Sequence, residues 1–107
     1  MISKTPNPPY YAVIFTSTLT RKDNGYFEMA SEMEKLVQSQ PGFLGFESAR
    51  EEIGITVSYW KDLESIRNWK DNPVHTVARE NGRKIWYRNF KVRIARVERD
   101  YGFEKEY

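Results

Sequence analysis

The sequence predicts an α+β fold with elements in the order β-α-β-β-α-β. Three observations carry this. Runs of β-branched and aromatic residues of strand length recur at four places. Apolar residues at helical spacing fill the two long intervals between those runs. Proline, glycine or a capping residue marks most of the boundaries. At 107 residues the chain is one domain with one modest core. Its 30% charged and 39% apolar residues are interspersed, as in a soluble globular protein.

Residues 1–9 are polar, carry Pro6, Pro8 and Pro9, and read as a flexible N-terminal arm. Tyr10 to Thr18 (YYAVIFTST) suits a strand. Both alternating sets, Ala12/Ile14 and Val13/Phe15, are apolar, so both faces of that strand should be covered. Asp23 or Asn24 can cap a helix from about Tyr26 to Ser39. Tyr26, Met29, Ala30, Met33 and Val37 form one stripe along it, and Pro41-Gly42 ends it. Phe43 to Arg50 and Ile55 to Trp60 read as a hairpin joined through residues 51–54.

Asp62 can cap a short helix carrying Leu63, Ile66 and Trp69. Pro73 stops that helix, because its ring and missing N–H are incompatible with a helix interior. The same Pro73 suits the first position of a new helix with Asn72 as its cap, running to about Trp86. Phe90 to Tyr101 reads as the last strand, and residues 104–107 as a tail, so the domain spans 10–103.

This order is the split-βαβ, ferredoxin-like arrangement, a four-stranded antiparallel sheet with the helices on one face. It leaves the other face bare. Yet the last strand puts Phe90, Val92 and Ile94 on one face and Ala95 and Val97 on the other. A symmetric partner is the usual remedy for an uncovered apolar sheet, which predicts a homodimer packed sheet against sheet.

Composition removes several function classes. There is no cysteine, hence no disulfide, thiolate catalyst or cysteine-ligated metal, and one histidine cannot build a His-rich metal site. No apolar run approaches the roughly 18 residues of a membrane span. Met1 to Pro6 does not resemble a signal peptide, so a cytoplasmic location is expected. Arg83, Lys84, Arg88, Lys91, Arg93, Arg96 and Arg99 form a basic cluster, but Glu80, Glu98 and Asp100 interrupt it and net charge is only +2. That pattern reads as a solvated face with ion pairs rather than a nucleic-acid surface. No glycine-rich phosphate loop is present.

The one histidine, His75, stands in Asp71-Asn72-Pro73-Val74-His75 between Trp69 and Trp86, with Trp60 upstream. In the first turn of the Pro73 helix its imidazole should be neutral, since the helix dipole opposes positive charge there. A neutral imidazole can act as a base near pH 7. Val74, Val77, Ala78 and Ile85 should face the sheet. His75, Arg79, Gly82 and Trp86 form the adjoining stripe at the margin of the core, where a cavity could open. Gly82 would add room there, Trp60 and Trp69 would be opposite walls, and Arg79 could clamp an anion. The same residues also fit a bland account: a polar surface histidine, core tryptophans and a surface arginine.

Three stretches carry a family resemblance. Gln40-Pro41-Gly42-Phe43-Leu44-Gly45-Phe46-Glu47-Ser48 is one. Ser58-Tyr59-Trp60-Lys61-Asp62 followed by Trp69 and His75 is another. Gly82 to Tyr87 with Arg93 to Tyr101 is the third. Together they resemble the antibiotic biosynthesis monooxygenase family over about residues 10–103. The resemblance implies a dimeric α+β barrel with a pocket between each sheet and its helices. It also implies a monooxygenase that needs neither metal nor flavin. In such enzymes a small aromatic or quinol-type substrate is deprotonated to an anion that reacts with oxygen. His75 would then be the proton acceptor or orienting group, with Trp60, Trp69, Trp86 and Phe46 as walls and Arg79 on the substrate. A non-catalytic dimeric module that binds a small ligand is the alternative. A haem-degrading branch of the family has an axial His ten residues beyond a Trp. Here that position, counted from Trp69, is Arg79, and the first strand has no Asn.

Overall fold

The structure is a computed structural model that describes residues 2–20 and 25–106. Its strands are β1 (Tyr10–Leu19), β2 (Phe43–Arg50), β3 (Gly54–Trp60) and β4 (Tyr87–Val97). Its helices are α1 (Tyr26–Val37), α2 (Leu63–Lys70) and α3 (Pro73–Asn81). All strand pairs are antiparallel, in the spatial order β2-β3-β1-β4. The fold is therefore α+β and ferredoxin-like, as the element order predicts. β4 begins three residues earlier than the pattern suggested and ends at Val97, where pairing with Tyr10 stops.

Register sorts the strand residues onto two faces. Val13, Phe15 and Ser17 share one face with Ser58, Thr56 and Gly54 of β3 and with Ile94, Val92 and Phe90 of β4. This inner face looks towards the helices. Ala12, Ile14 and Thr16 share the outer face with Tyr59, Val57 and Ile55. Ile55 is 46% exposed there while Ala12 is buried, and on the inner face Val92 and Ile94 of β4 are also exposed.

The caps form as the sequence predicts, with one exception. Asp62 accepts the Ser65 backbone N–H at 2.7 Å, and the Ser65 hydroxyl, then this N–H, hold its carboxyl below the usual carboxylate range. Asn72 Oδ1 accepts from the N–H groups of Val74 and His75, and Pro73 occupies the first turn. The exception is α1. Asp23 and Asn24 lie outside the described residues, and Gly25, at φ +83°, holds the N-cap position without a side-chain cap. Met29 N–H donates to the Gly25 carbonyl to begin the helix. At the other end Gly42, at φ +80°, makes the turn into β2. A Cβ there would strike Ser65 of α2, so glycine is required for conformation and for space.

The segment before β1 is tied to the sheet. Ser3 N–H donates to Glu47 at 2.8 Å, and Ser3 Oγ donates to the Phe46 carbonyl at 3.0 Å. Thr5 donates to the Tyr10 hydroxyl, which donates in turn to Asp100 beyond β4. Tyr59 donates to the other oxygen of Glu47. Burial, then the bond to Glu47, pushes the Tyr59 hydroxyl up to about 12, while the Tyr59 bond and then the Ser3 N–H hold Glu47 down.

After Asn81 the helix widens into one π turn, Gly82–Trp86, closed by Tyr87 N–H donating to the Gly82 carbonyl five residues back. Thr20 fastens this turn to the end of β1, with its N–H on the Trp86 carbonyl and its hydroxyl on the Ile85 carbonyl.

Candidate active site

Between the inner sheet face and the helices lies a cavity of about 540 Å³. That volume falls in the roughly 300–1,000 Å³ range of small-molecule sites. α1 supplies one wall through Tyr26, Met29, Ala30, Met33 and Val37. The stripe that the spacing marks as core is thus the side of a cavity. β1 and β4 supply Val13, Phe15, Phe90, Val92 and Ile94, and β2 supplies Phe43 and Phe46. Trp69 of α2 and His75, Ala78 and Arg79 of α3 add to it.

The rotation of α3 differs from the expected one. Val74 and Val77 are 53% and 57% exposed, and Ile85 is exposed as well. The inward face is His75, Ala78, Arg79, Gly82 and Trp86, with Ala78, Gly82 and Trp86 buried. Local contacts fix that rotation. The His75 ring stacks on the Trp69 indole, centroids 4.2 Å apart and planes 12° apart. Arg79 Nη2 donates to the Lys70 carbonyl at 3.2 Å. Both contacts pull the same side of α3 against the end of α2, and the valines are left outside.

Two of the expected walls are not walls. Trp60 is fully buried, lies edge-on beneath Phe43, stacks on Trp69 at 6.4 Å and gives its indole N–H to Ser58 at 2.9 Å. It supports Trp69 from behind. Trp86 is buried against Tyr26 and is likewise absent from the lining. Gly82 does not open space either. A Cβ at that position would stand 2.7 Å from the Tyr87 ring, so the missing side chain is what seats Tyr87. Phe46, Trp69, His75 and Arg79 do line the cavity.

Tyr87 is the residue that sequence reasoning missed. Its ring packs against Phe15, Tyr26 and Phe90, and it lines the cavity. Burial, then neighbouring Tyr26, pushes its hydroxyl well above the usual phenol range. Arg50 lies behind it, over the Tyr26 ring at 5.4 Å and bonded to buried Ser17. The signal available was the aromatic run Trp86-Tyr87, in which the spacing favoured the wrong ring.

The chemistry of His75 follows from its partners. A carbonyl oxygen only accepts, so the 2.9 Å contact between Nδ1 and the Trp69 carbonyl requires an Nδ1–H. Burial depresses the imidazole pKa. The Trp69 carbonyl opposes this in part, and Arg79 adds to it. The ring is therefore neutral at pH 7, and Nε2 carries the free lone pair. Among the described residues no cluster of His, Asp or Glu could hold a metal ion, and no helix is long and apolar enough to cross a membrane.

The chain is thus a ferredoxin-like α+β domain with an aromatic cavity between sheet and helices and one neutral imidazole on its wall. The chain belongs to the antibiotic biosynthesis monooxygenase family, whose model matches residues 10–81. It is 49% identical over 106 residues to the uncharacterised protein YqjZ of Bacillus subtilis (strain 168), covering 97% of this chain and 93% of that one. Its fold is similar to that of SnoaB, a cofactor-independent oxygenase from Streptomyces nogalater. There the TM-score is 0.69 at 12% identity, over 92% of this chain and 100% of that one. A conserved protein from Methanosarcina mazei Go1 gives a TM-score of 0.73 at 12% identity, over 81% and 91% of the two chains. At such identities the likeness concerns the fold.

Proposed function

We propose that the protein is a cofactor-independent monooxygenase acting on a small aromatic or quinol-type substrate. The observation that carries this reading is the state of His75: a neutral base, its tautomer held by the Trp69 carbonyl, on the wall of an apolar cavity. The ring accepts a proton at Nε2 from an activated C–H or O–H of the substrate. The anion so formed gives electrons to oxygen in a site that aromatic walls keep dry. In the anthrone case a ring CH2 loses both hydrogens and gains one oxygen atom. The second oxygen leaves as water, so all four electrons come from the substrate. Family membership and the fold shared with SnoaB support the same reading.

The reading includes a homodimer. The outer face of the sheet, where Ile14, Val57 and exposed Ile55 lie, is where a second copy would pack, outer face to outer face. The site lies on the opposite face, so each protomer keeps its own cavity.

Oxygen uptake on a panel of hydroxyquinols and anthrones tests the function, with wild type beside His75→Ala. Expected is uptake by wild type and a loss of about 10²–10⁴-fold in the variant. Equal rates would remove His75 from the chemistry. No uptake by wild type on any member would favour a non-catalytic binding module.

A further inference from the structure

The cavity wall is mostly apolar, with a few neutral polar groups such as Ser48, Thr56 and Ser58 and an uneven set of charges. Lys70, Arg79 and Arg83 line it, against Glu34 as the one acidic side chain among the described lining residues. Arg83 is engaged over the Phe90 ring at 5.7 Å. Arg79 is the exception. Its Nη2 has the Lys70 carbonyl, but its Nε is buried and has no hydrogen-bond partner among the described residues. Among the described residues no carboxylate is seen to pair with it. A guanidinium stays charged at every relevant pH, and a buried donor without an acceptor is costly. Nε itself is closed off, so a planar anion in the cavity would meet the other N–H groups of the guanidinium, whose fork matches a carboxylate. Arg79 stands one helical turn beyond His75 on the same inward face, so an anion there would lie beside the imidazole.

We infer that the ligand of this cavity is an aromatic molecule that carries its own anionic group, a carboxylate in the simplest case, and that Arg79 receives that group. The inference rests on the cavity being the ligand site, as proposed above, but not on turnover. Arg79 sets which aromatic molecules enter and how they lie beside His75.

The test compares 2-naphthoate with 2-naphthamide, two probes of equal shape that differ in charge. Binding to the full-length protein is read by calorimetry and by tryptophan fluorescence. Wild type should prefer the carboxylate by roughly tenfold or more, the value of one charge-assisted hydrogen bond. Arg79→Gln should bring the two probes within about twofold, and Arg79→Lys, which keeps the charge but loses the fork, should retain part of the preference. Val77→Ala, on the exposed side of α3 and outside the cavity lining, should leave the preference in place. Equal binding of both probes by wild type overturns the inference without any variant, as does failure to bind either. A preference that survives Arg79→Gln overturns the role of Arg79. Selective binding of 2-naphthoate by a protein that oxidises nothing would sink the oxygenase reading and leave this one standing. Oxidation of neutral hydroxyquinols with no charge preference would do the reverse.

Discussion

The imidazole of His75 lies flat on the indole of Trp69 and donates its Nδ1–H to the backbone carbonyl of the same residue. One residue thus sets the ring's plane, its tautomer and much of its dryness. Trp69 is held in turn by Trp60 beneath it.

Trp69 and Trp60 should therefore fail differently. Trp69→Ala exposes the imidazole to water, and its NMR titration midpoint should rise towards the ordinary 6.5. Ligand binding should weaken with only a modest loss of stability. Trp60→Ala empties a fully buried site and should cost about 3–5 kcal/mol in urea unfolding. Similar losses of stability in both variants would contradict this division of roles.

The depressed pKa of His75 fixes a pH dependence of folding. Between the folded value and 6.5, the unfolded chain binds more protons than the native one. The stability tied to this group is complete above pH 6.5, declines as pH falls towards the folded value, and is flat below it. Urea midpoints at pH 7.5 and 5.5 should differ more for wild type than for His75→Asn. If His75 is the base, activity should also persist below pH 6.5 before it falls.

Asn72 accepts from two N–H groups at the start of α3, one of them that of His75. Asn72→Ala should cost about 1 kcal/mol of unfolding free energy. Since the cap also positions the first turn, oxygen uptake should fall by more than the stability change explains. An Asn72→Asp variant should restore both.

Gly82→Ala forces a Cβ against the Tyr87 ring. The expected cost is about 1–3 kcal/mol, as for overpacked interiors, together with weaker binding of cavity ligands. Tyr87→Ala in the same background should relieve the clash and recover part of the stability. Additive losses in the double variant would argue against a shared contact.

Sedimentation at micromolar concentration should find a dimer. Ile14→Asp, placing a charge on the outer face, should shift it towards monomer while leaving the cavity intact.

Most of the fold was legible because its signals are local. Asp62, Asn72 and Pro73 sit where caps and breakers belong, and strand runs such as Tyr10 to Thr18 have the right composition. The site was legible only in part. His75, Trp69, Arg79 and Phe46 were found through their spacing and motifs. The face of α3 was misjudged because hydrophobicity favoured Val74 and Val77, whereas two contacts with α2 decided the rotation. The π turn also breaks the 3.6-residue period just before Ile85 and Trp86, so a regular stripe could not be carried that far. Which aromatic rings face the cavity depends on register between strands distant in sequence, and neither Tyr87 nor Trp60 announces its side.

The bond from Ser3 to the Phe46 carbonyl joins the third residue of the chain to a residue whose ring forms the cavity wall. The opposite terminus is different: Tyr101 and Phe103 are 94% and 87% exposed. A purification handle fused ahead of Ser3 would join the chain next to the cavity wall, whereas one at the other end would follow a segment whose Tyr101 and Phe103 are uncovered. Which end is tagged thus bears on any affinity or rate measured afterwards.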